Sequence, residues 1–445
     1  MPMQYEHDSK LKPEESREEN GVQSEQDRNT EETFSFLKET IKPKTISREK
    51  LFVQFARMAL YGMIIGLFAC CSFFALKPWA QKTFGKETEQ VTIPEDEELP
   101  EEETAENQSA EESQILDVNN YEQMMDSLYM TAKEAKRSVV SVRTESETDW
   151  MEKQGRTKPN ENCSTGIIAA DTGQELLILA DNAVCGAGTK WEALLADGSS
   201  PEAALKIQDK NRGLAVFSVS KKLISDSSGN QIQVAKLGNS NVVTQGDVVI
   251  GLGNMFGYEG GLGYGIVSSV EYNKVFSDGQ CSVIATNIEA AHGGTGILIN
   301  QSGEVIGLIR QGILNAAEAG NDEVTANALA VSDLKAVLEL MLNGKKVPYA
   351  GIYGVAVTTV ISKEQEIPEG LYVTQVESDS PAMASGIQNG DVIQRVNGQA
   401  VTGITSFETA LLETTAGDTV EVQGQRRGSG GYVDATFSLS VGSRE

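Results

Sequence analysis

Two histidines set the first limit on the chemistry this chain can do: His7 and His292. His7 lies in a polar tail, so only His292 can serve a folded domain. Most serine and cysteine hydrolases need a His base, and here one position at most can supply it. The count also leaves no HExxH helix and no His cluster for zinc, so neither a metal nor another cofactor is expected. The five cysteines are Cys70 and Cys71, adjacent in an apolar run, and the scattered Cys163, Cys185 and Cys281. No CxxC spacing occurs, which argues against a metal site and a disulfide framework. The three scattered residues read as buried thiols.

Charge excludes further classes. The net charge is -27 over 445 residues, which disfavours nucleic acid, whose phosphates demand basic patches, and wide docking on an anionic membrane surface. Hydrophobic residues make up 40% of the chain, enough for a sizeable core.

The elements that could position a site begin well into the chain. Residues 1–50 are rich in Glu, Lys, Ser and Asn and read as a disordered tail. From Met58 to Leu76 the sequence is uncharged and long enough to cross a bilayer, giving a membrane segment with its flank over 51–79. Lys38, Lys42, Lys44, Arg48, Lys50 and Arg57 precede it, which places the N-terminus in the cytoplasm and everything beyond Trp79 outside. Residues 80–119 form an acidic stalk, with Glu dominant over 87–115 and self-repulsion keeping it extended.

Beyond the stalk, Met124, Leu128 and Ala132 have helical spacing within Tyr121 to Arg137. Short β-like runs then follow: Val139–Val142, Gly166–Ala169, Leu176–Leu179, Leu214–Val219, Val248–Leu252, Val283–Thr286, Gly296–Ile299 and Val305–Leu308. Many short strands separated by turn signals suggest a barrel or sandwich. A helix capped by Ser332, lined by Leu334, Val337, Leu338 and Met341 and stopped at Gly344, closes the region.

The order of these segments resembles the HtrA/Deg family of trypsin-like proteases. Ser164-Thr165-Gly166-Ile167-Ile168, Leu177-Ile178-Leu179-Ala180-Asp181-Asn182, Asn211-Arg212-Gly213-Leu214-Ala215-Val216, Gln245-Gly246-Asp247-Val248-Val249 and Asn300-Gln301-Ser302-Gly303-Glu304-Val305 carry the likeness. It implies a mainly β fold, a trypsin-like double β-barrel over 120–346 with its site between the barrels. It also places the catalytic triad. The His would follow Ala180-Asp181-Asn182, where Ala183 stands; the Asp would precede the Leu-Ala-Val strand, where Gly213 stands; the serine would fall at Gly294, in His292-Gly293-Gly294-Thr295-Gly296. None of the three has a side chain that transfers a proton or attacks a carbonyl. The fallback candidates are His292, Thr295, which should face away from the reacting position, and Cys185, read as sharing the lost histidine's strand face.

Residues 347–445 resemble the PDZ domain of the same family, through Tyr349-Ala350-Gly351-Ile352, Ser380-Pro381-Ala382 and Gln388-Asn389-Gly390-Asp391-Val392-Ile393. The resemblance implies that backbone N–H groups of Tyr349, Ala350, Gly351 and Ile352 hold a partner's terminal carboxylate, with Ile352, Val355, Phe407 and Leu411 lining the side-chain pocket and the peptide adding a strand to the sheet edge. Ala350 stands where the family carries a larger residue.

The expectation is a single-pass bacterial membrane protein, its folded part outside the cytoplasm. It would be a pseudoprotease that binds C-termini or unfolded segments of envelope proteins as scaffold, chaperone or regulator. A homotrimer, or a hetero-oligomer with active paralogues, is implied by the family. The alternative is a serine-type endopeptidase of protein quality control that works through non-standard residues.

Overall fold

The computed structural model describes residues 58, 60, 61, 63, 90–96, 118–144, 163–186, 188–225, 231–310 and 325–445. Met1–Lys86 and Glu87–Glu445 are separate compact units. In the first, Met58, Leu60, Tyr61 and Met63 are helical; the rest of the expected membrane segment, the N-terminal tail and most of the stalk lie outside the described residues. Among the described residues no helix is long and apolar enough to cross a membrane.

The second unit is mainly β. Strands β1 (Val139–Thr144), β2 (Cys163–Asp171), β3 (Glu175–Asp181), β4 (Trp191–Leu194), β5 (Glu202–Asp209) and β6 (Leu214–Ser220) close a barrel in the order β1-β2-β3-β6-β5-β4. Strands β7 (Val248–Gly253), β8 (Gly261–Phe276), β9 (Gly279–Glu289), β10 (Thr295–Ile299), β11 (Val305–Arg310) and β12 (Thr325–Ala330) close a second in the order β10-β11-β12-β9-β8-β7. Closure leaves no open sheet edge, and Val140, Ile178, Phe217, Leu252, Ile284 and Ile297 fill the interiors. Four strands have no counterpart in the runs read from sequence: β4, β5, β8 and β12. β8 in particular is long, with Glu271 and Asn273 exposed and Lys274 half-buried.

Helix α1 (Val118–Ala135) leads into the first barrel, and α2 (Val331–Leu342) closes the second with Leu334, Val337, Leu338 and Met341 buried. Ser332 does not cap α2; the cap residue is Ala330, and Ser332 exchanges hydrogen bonds with Ser240. Part of the stalk is docked rather than free. Val91 and Asn343 exchange two hydrogen bonds, Lys335 pairs with Asp96 at 2.6 Å, and Ile93 is buried. Val91 and Ile93 are an apolar pair in an otherwise acidic run, and burying them offsets the cost of ordering it.

Thr165 stitches the barrels together. Its N–H donates to Thr295 Oγ1, its hydroxyl donates to the Thr295 carbonyl and accepts from Asn254 N–H, all within 2.7–2.9 Å. A Cβ on Gly253 would fall 2.5 Å from Thr165 Oγ1, and Gly253 has φ +125°, so only glycine allows this approach.

The C-terminal sheet runs β14 (Ile352–Val357), β15 (Gly370–Val376), β16 (Val392–Val396), β18 (Thr419–Gly428) and β19 (Gly431–Ser440). β17 (Gln399–Ala400) pairs antiparallel with the end of β16, while β13 (Pro348–Tyr349) pairs with β20 (Gly442–Ser443). Helices α3 (Thr359–Gln365), α4 (Pro381–Ala384) and α5 (Ile404–Leu412) complete it. Ala350, Ile352, Leu371, Ile393, Phe407 and Leu411 share its core. This is a PDZ arrangement, with β14 as edge strand.

Candidate functional site: the inter-barrel cleft and the PDZ loop

Of the three expected triad positions, Gly213 lies against the Arg310 guanidinium, and Ala183 is linked to it through Asp181. Ala183 lies in a short 3-10 turn after β3 and donates to Asp181 Oδ1 at 2.8 Å. Gly213 ends the turn before β6, and its carbonyl accepts from Asn182 N–H at 3.0 Å. Gly294 directly precedes β10, whose first residue, Thr295, pairs with Arg310 on β11. From there Arg310 reaches across the seam. Its Nε meets Asp181 Oδ2 at 2.8 Å, and its Nη1 donates to the Arg212 carbonyl at 2.7 Å. Burial raises the Asp181 pKa, against the pull of Arg310 and the Ala183 N–H.

A Cβ on Gly213 would lie 1.6 Å from Arg310 Nη1, and one on Gly294 would lie 2.4 Å from the Met255 carbonyl oxygen. The Gly294 N–H already donates to the Ala291 carbonyl at 3.0 Å, so it is not presented to an oxyanion. A cavity of about 20 Å³, lined by Thr165, Leu179, Asp181, Gly296, Ile309 and Arg310, remains at the seam. It can hold a water but not a peptide group.

The fallback residues are differently placed. Thr295 is buried, and its hydroxyl accepts from Thr165 N–H. His292 is exposed in the loop before β10. Cys185 lies in the 3-10 turn with Ala183, not on a strand, so alternation does not give the two a common face. Burial pushes the Cys185 thiol up to about 11 and Cys163 to about 12, and raises Cys281 as well, away from the thiolate a nucleophile needs. Cys163 and Cys185 are half-buried rather than fully buried, and all three are free.

The PDZ loop holds a carboxylate that belongs to the chain itself. The N–H groups of Ala350, Gly351 and Ile352 donate to the two carboxylate oxygens of Asp278 at 2.8–2.9 Å. The Asp278 N–H in turn donates to the Ile352 carbonyl at 2.7 Å. Asp278 occupies the two-residue turn between β8 and β9, at φ +66° and 2% exposed. Burial pushes its carboxyl up to about 6, opposed by the three N–H groups and by Arg212.

The loop and hairpin are braced on both sides. Ser277 and Asn211 exchange two hydrogen bonds of 2.7 Å. Arg212 pairs with Asp209 at 3.1 Å and with Glu408 on α5 at 2.5 Å. Of the expected pocket residues, Ala350, Ile352, Phe407 and Leu411 are buried in the PDZ core, Tyr349 donates to Glu377, and Val355 is 56% exposed. Sequence reasoning missed Arg310 and Asp278. The Asp-Gly pair at 278–279 is visible as a hairpin turn, but nothing local announces a receptor more than seventy residues away.

Two closed six-stranded barrels followed by a PDZ sheet define a trypsin-like protein of the protease-with-PDZ class. Residues 164–308 match the trypsin-like peptidase domain and 351–438 match the PDZ domain. The chain is 27% identical over 277 residues to the serine protease Do-like HtrA of Lactobacillus helveticus, covering 59% of this chain and 65% of that one. It is 27% identical over 298 residues to the serine protease Do-like HtrB of Bacillus subtilis (strain 168), covering 63% of each. The chain thus spans a little under two-thirds of the length of these relatives. The structure of the HtrA-type protease AlgW with a decapeptide has the same fold, with a TM-score of 0.50 and 19% identity over 71% of this chain and 99% of that one. The domain pair and these relatives together support an HtrA-family protein.

Proposed function

We propose that this protein binds polypeptide C-termini through its PDZ domain and does not hydrolyse them. Arg310 carries the second half of this reading. Its guanidinium stands where a side chain on Gly213 would begin, and it is tied in place by Asp181 and the Arg212 carbonyl. No imidazole, carboxylate or hydroxyl stands at Ala183, Gly213 or Gly294, and loss of triad members costs on the order of 10⁴ to 10⁶ in rate. The first half is supported by the carboxylate seated on the loop amides of Ala350, Gly351 and Ile352, and by the peptide-bound AlgW structure.

The proposal includes anchoring through the apolar segment beginning near Met58, with the folded unit outside the cytoplasm, and a scaffold, chaperone or regulatory role toward envelope proteins. Assembly as a trimer or with active family members is part of the same reading. The test is incubation of the purified chain with unfolded casein, followed by measurement of acid-soluble fragments. No release above buffer is expected. Release that disappears in His292→Ala or Cys185→Ala would establish instead an endopeptidase with a rewired site.

A further inference from the structure

We propose that the β8–β9 hairpin is an internal ligand of the PDZ loop, and that a partner's C-terminus engages the groove only by exchanging with Asp278. The inference rests on the C-terminus reading above and concerns what regulates it.

Asp278 satisfies the loop as a terminal carboxylate does. Three consecutive N–H groups converge on its two oxygens, and its own N–H completes one rung of strand pairing with Ile352. The loop cannot hold both this carboxylate and another, so the two compete for one set of donors. The hairpin tip is also wedged against α5. Gln280 N–H donates to Glu408 Oε2 at 3.4 Å, and a Cβ on Gly279 would fall 2.4 Å from the Glu408 carboxyl carbon. The Ser277–Asn211 and Arg212–Glu408 contacts hold the first barrel to either side of the tip.

The remainder of the groove edge is open. Among the described residues β14 pairs along its length with β15 only, and Val355 stays exposed. On the other side of Tyr353 the arm of the hairpin at Lys274, Val275 and Phe276 stands apart, across a pocket of about 440 Å³. An incoming peptide can therefore start pairing along β14 before its carboxylate reaches Asp278. The affinity observed for the peptide is its intrinsic affinity scaled by the fraction of chains with the loop vacated.

The experiment uses the full-length chain in mild detergent and its Asp278→Asn variant. Asn keeps the shape and tolerates positive φ, but its NH2 group turns a donor without a lone pair toward the loop N–H donors. The probe is a fluorescein-labelled decapeptide pool, random at nine positions and ending in a free Val carboxylate, with its C-terminally amidated twin as control. Asp278→Asn is expected to bind the free-carboxylate pool at least about tenfold more tightly than the natural chain, with no binding of the amidated pool by either. Equal binding by both chains would overturn the latch and leave the C-terminus reading standing. No binding by either chain would overturn that reading and the exchange with it. A measurement on the natural chain alone guards against a misfolded variant. On adding the pool, the Asp278 amide should exchange hydrogen faster while Ala350, Gly351 and Ile352 stay protected. Peptide bound with the Asp278 amide unchanged would also overturn the latch.

Discussion

The Arg310 guanidinium and the α-carbon of Gly213 compete for one space: a Cβ at Gly213 would sit 1.6 Å from Arg310 Nη1. Gly213 also has φ +72°, where a side chain costs roughly 1–2 kcal/mol. At Gly294 the obstacle is the Met255 backbone carbonyl, which cannot rotate aside as a side chain can. Rewriting the triad as Ala183→His, Gly213→Asp and Gly294→Ser is therefore expected to leave casein hydrolysis at the level of the natural chain and to lower the melting temperature. Robust cleavage by the triple variant would mean that the cleft rearranges far more readily than these contacts imply.

Arg212 ties the first barrel to the PDZ helix. Its side chain is 4% exposed and serves Asp209 and Glu408 together. Arg212→Ala would leave two nearly buried carboxylates without their cation, a loss of roughly 3–5 kcal/mol. Glu408→Gln should cost less, since the amide can still accept a hydrogen bond from Arg212. Thermal unfolding of both variants checks this order. A melting temperature for Arg212→Ala within a degree of the natural chain would contradict it.

Much of this organisation is legible in the sequence because it is written locally. Runs such as Leu176–Leu179 and Leu214–Val219 are apolar on both faces and short, and they lie between turn residues. β8 was missed because Glu271, Asn273 and Lys274 dilute its alternation, and β4 because four residues carry too little pattern to stand out. The loop at Ala350–Ile352 was legible from its motif, whereas its occupant was not. Asp278 reads from sequence as an ordinary Asp-Gly turn, and only the packing of the hairpin against the PDZ domain makes it a ligand. Arg310 escaped for the same reason: its partners Asp181 and Arg212 belong to the other barrel.

Thiol chemistry tests the reading of the cleft from another side. Burial and the neighbouring Asp181 raise Cys185 from 9.0 to about 11, with Lys210 opposing. At pH 7.5 its thiolate fraction should then be on the order of a hundredfold below that of an unperturbed thiol. Iodoacetamide labelling followed residue by residue through peptide mapping should show Cys185 and Cys163 reacting far more slowly than a free cysteine peptide. Labelling of Cys185 faster than that peptide would restore it as a candidate nucleophile.

Acid should tighten the hairpin on the PDZ loop. Arg212 and the three loop N–H groups face Asp278 and favour its charge, Tyr349 stands beside it, Tyr353 reaches its neighbour Ser277, and Glu408 its other flank at Gln280. Burial outweighs the favourable partners and carries the carboxyl from 3.8 to about 6. Released into water, the group would return to its ordinary value, so the closed arrangement takes up a proton at a pH where the open one does not. Its advantage is therefore fully present below about 3.8 and is lost as pH rises through about 6, changing by roughly tenfold per pH unit between those limits. Protection factors of the Ala350, Gly351 and Ile352 amides, measured by hydrogen exchange at pH 7.5, 6 and 5, should rise toward acid in the natural chain. They should stay level in Asp278→Asn, which has no proton to bind. A fall in protection toward pH 5 would show that the charged carboxylate, rather than the neutral acid, is the form that the loop holds more tightly.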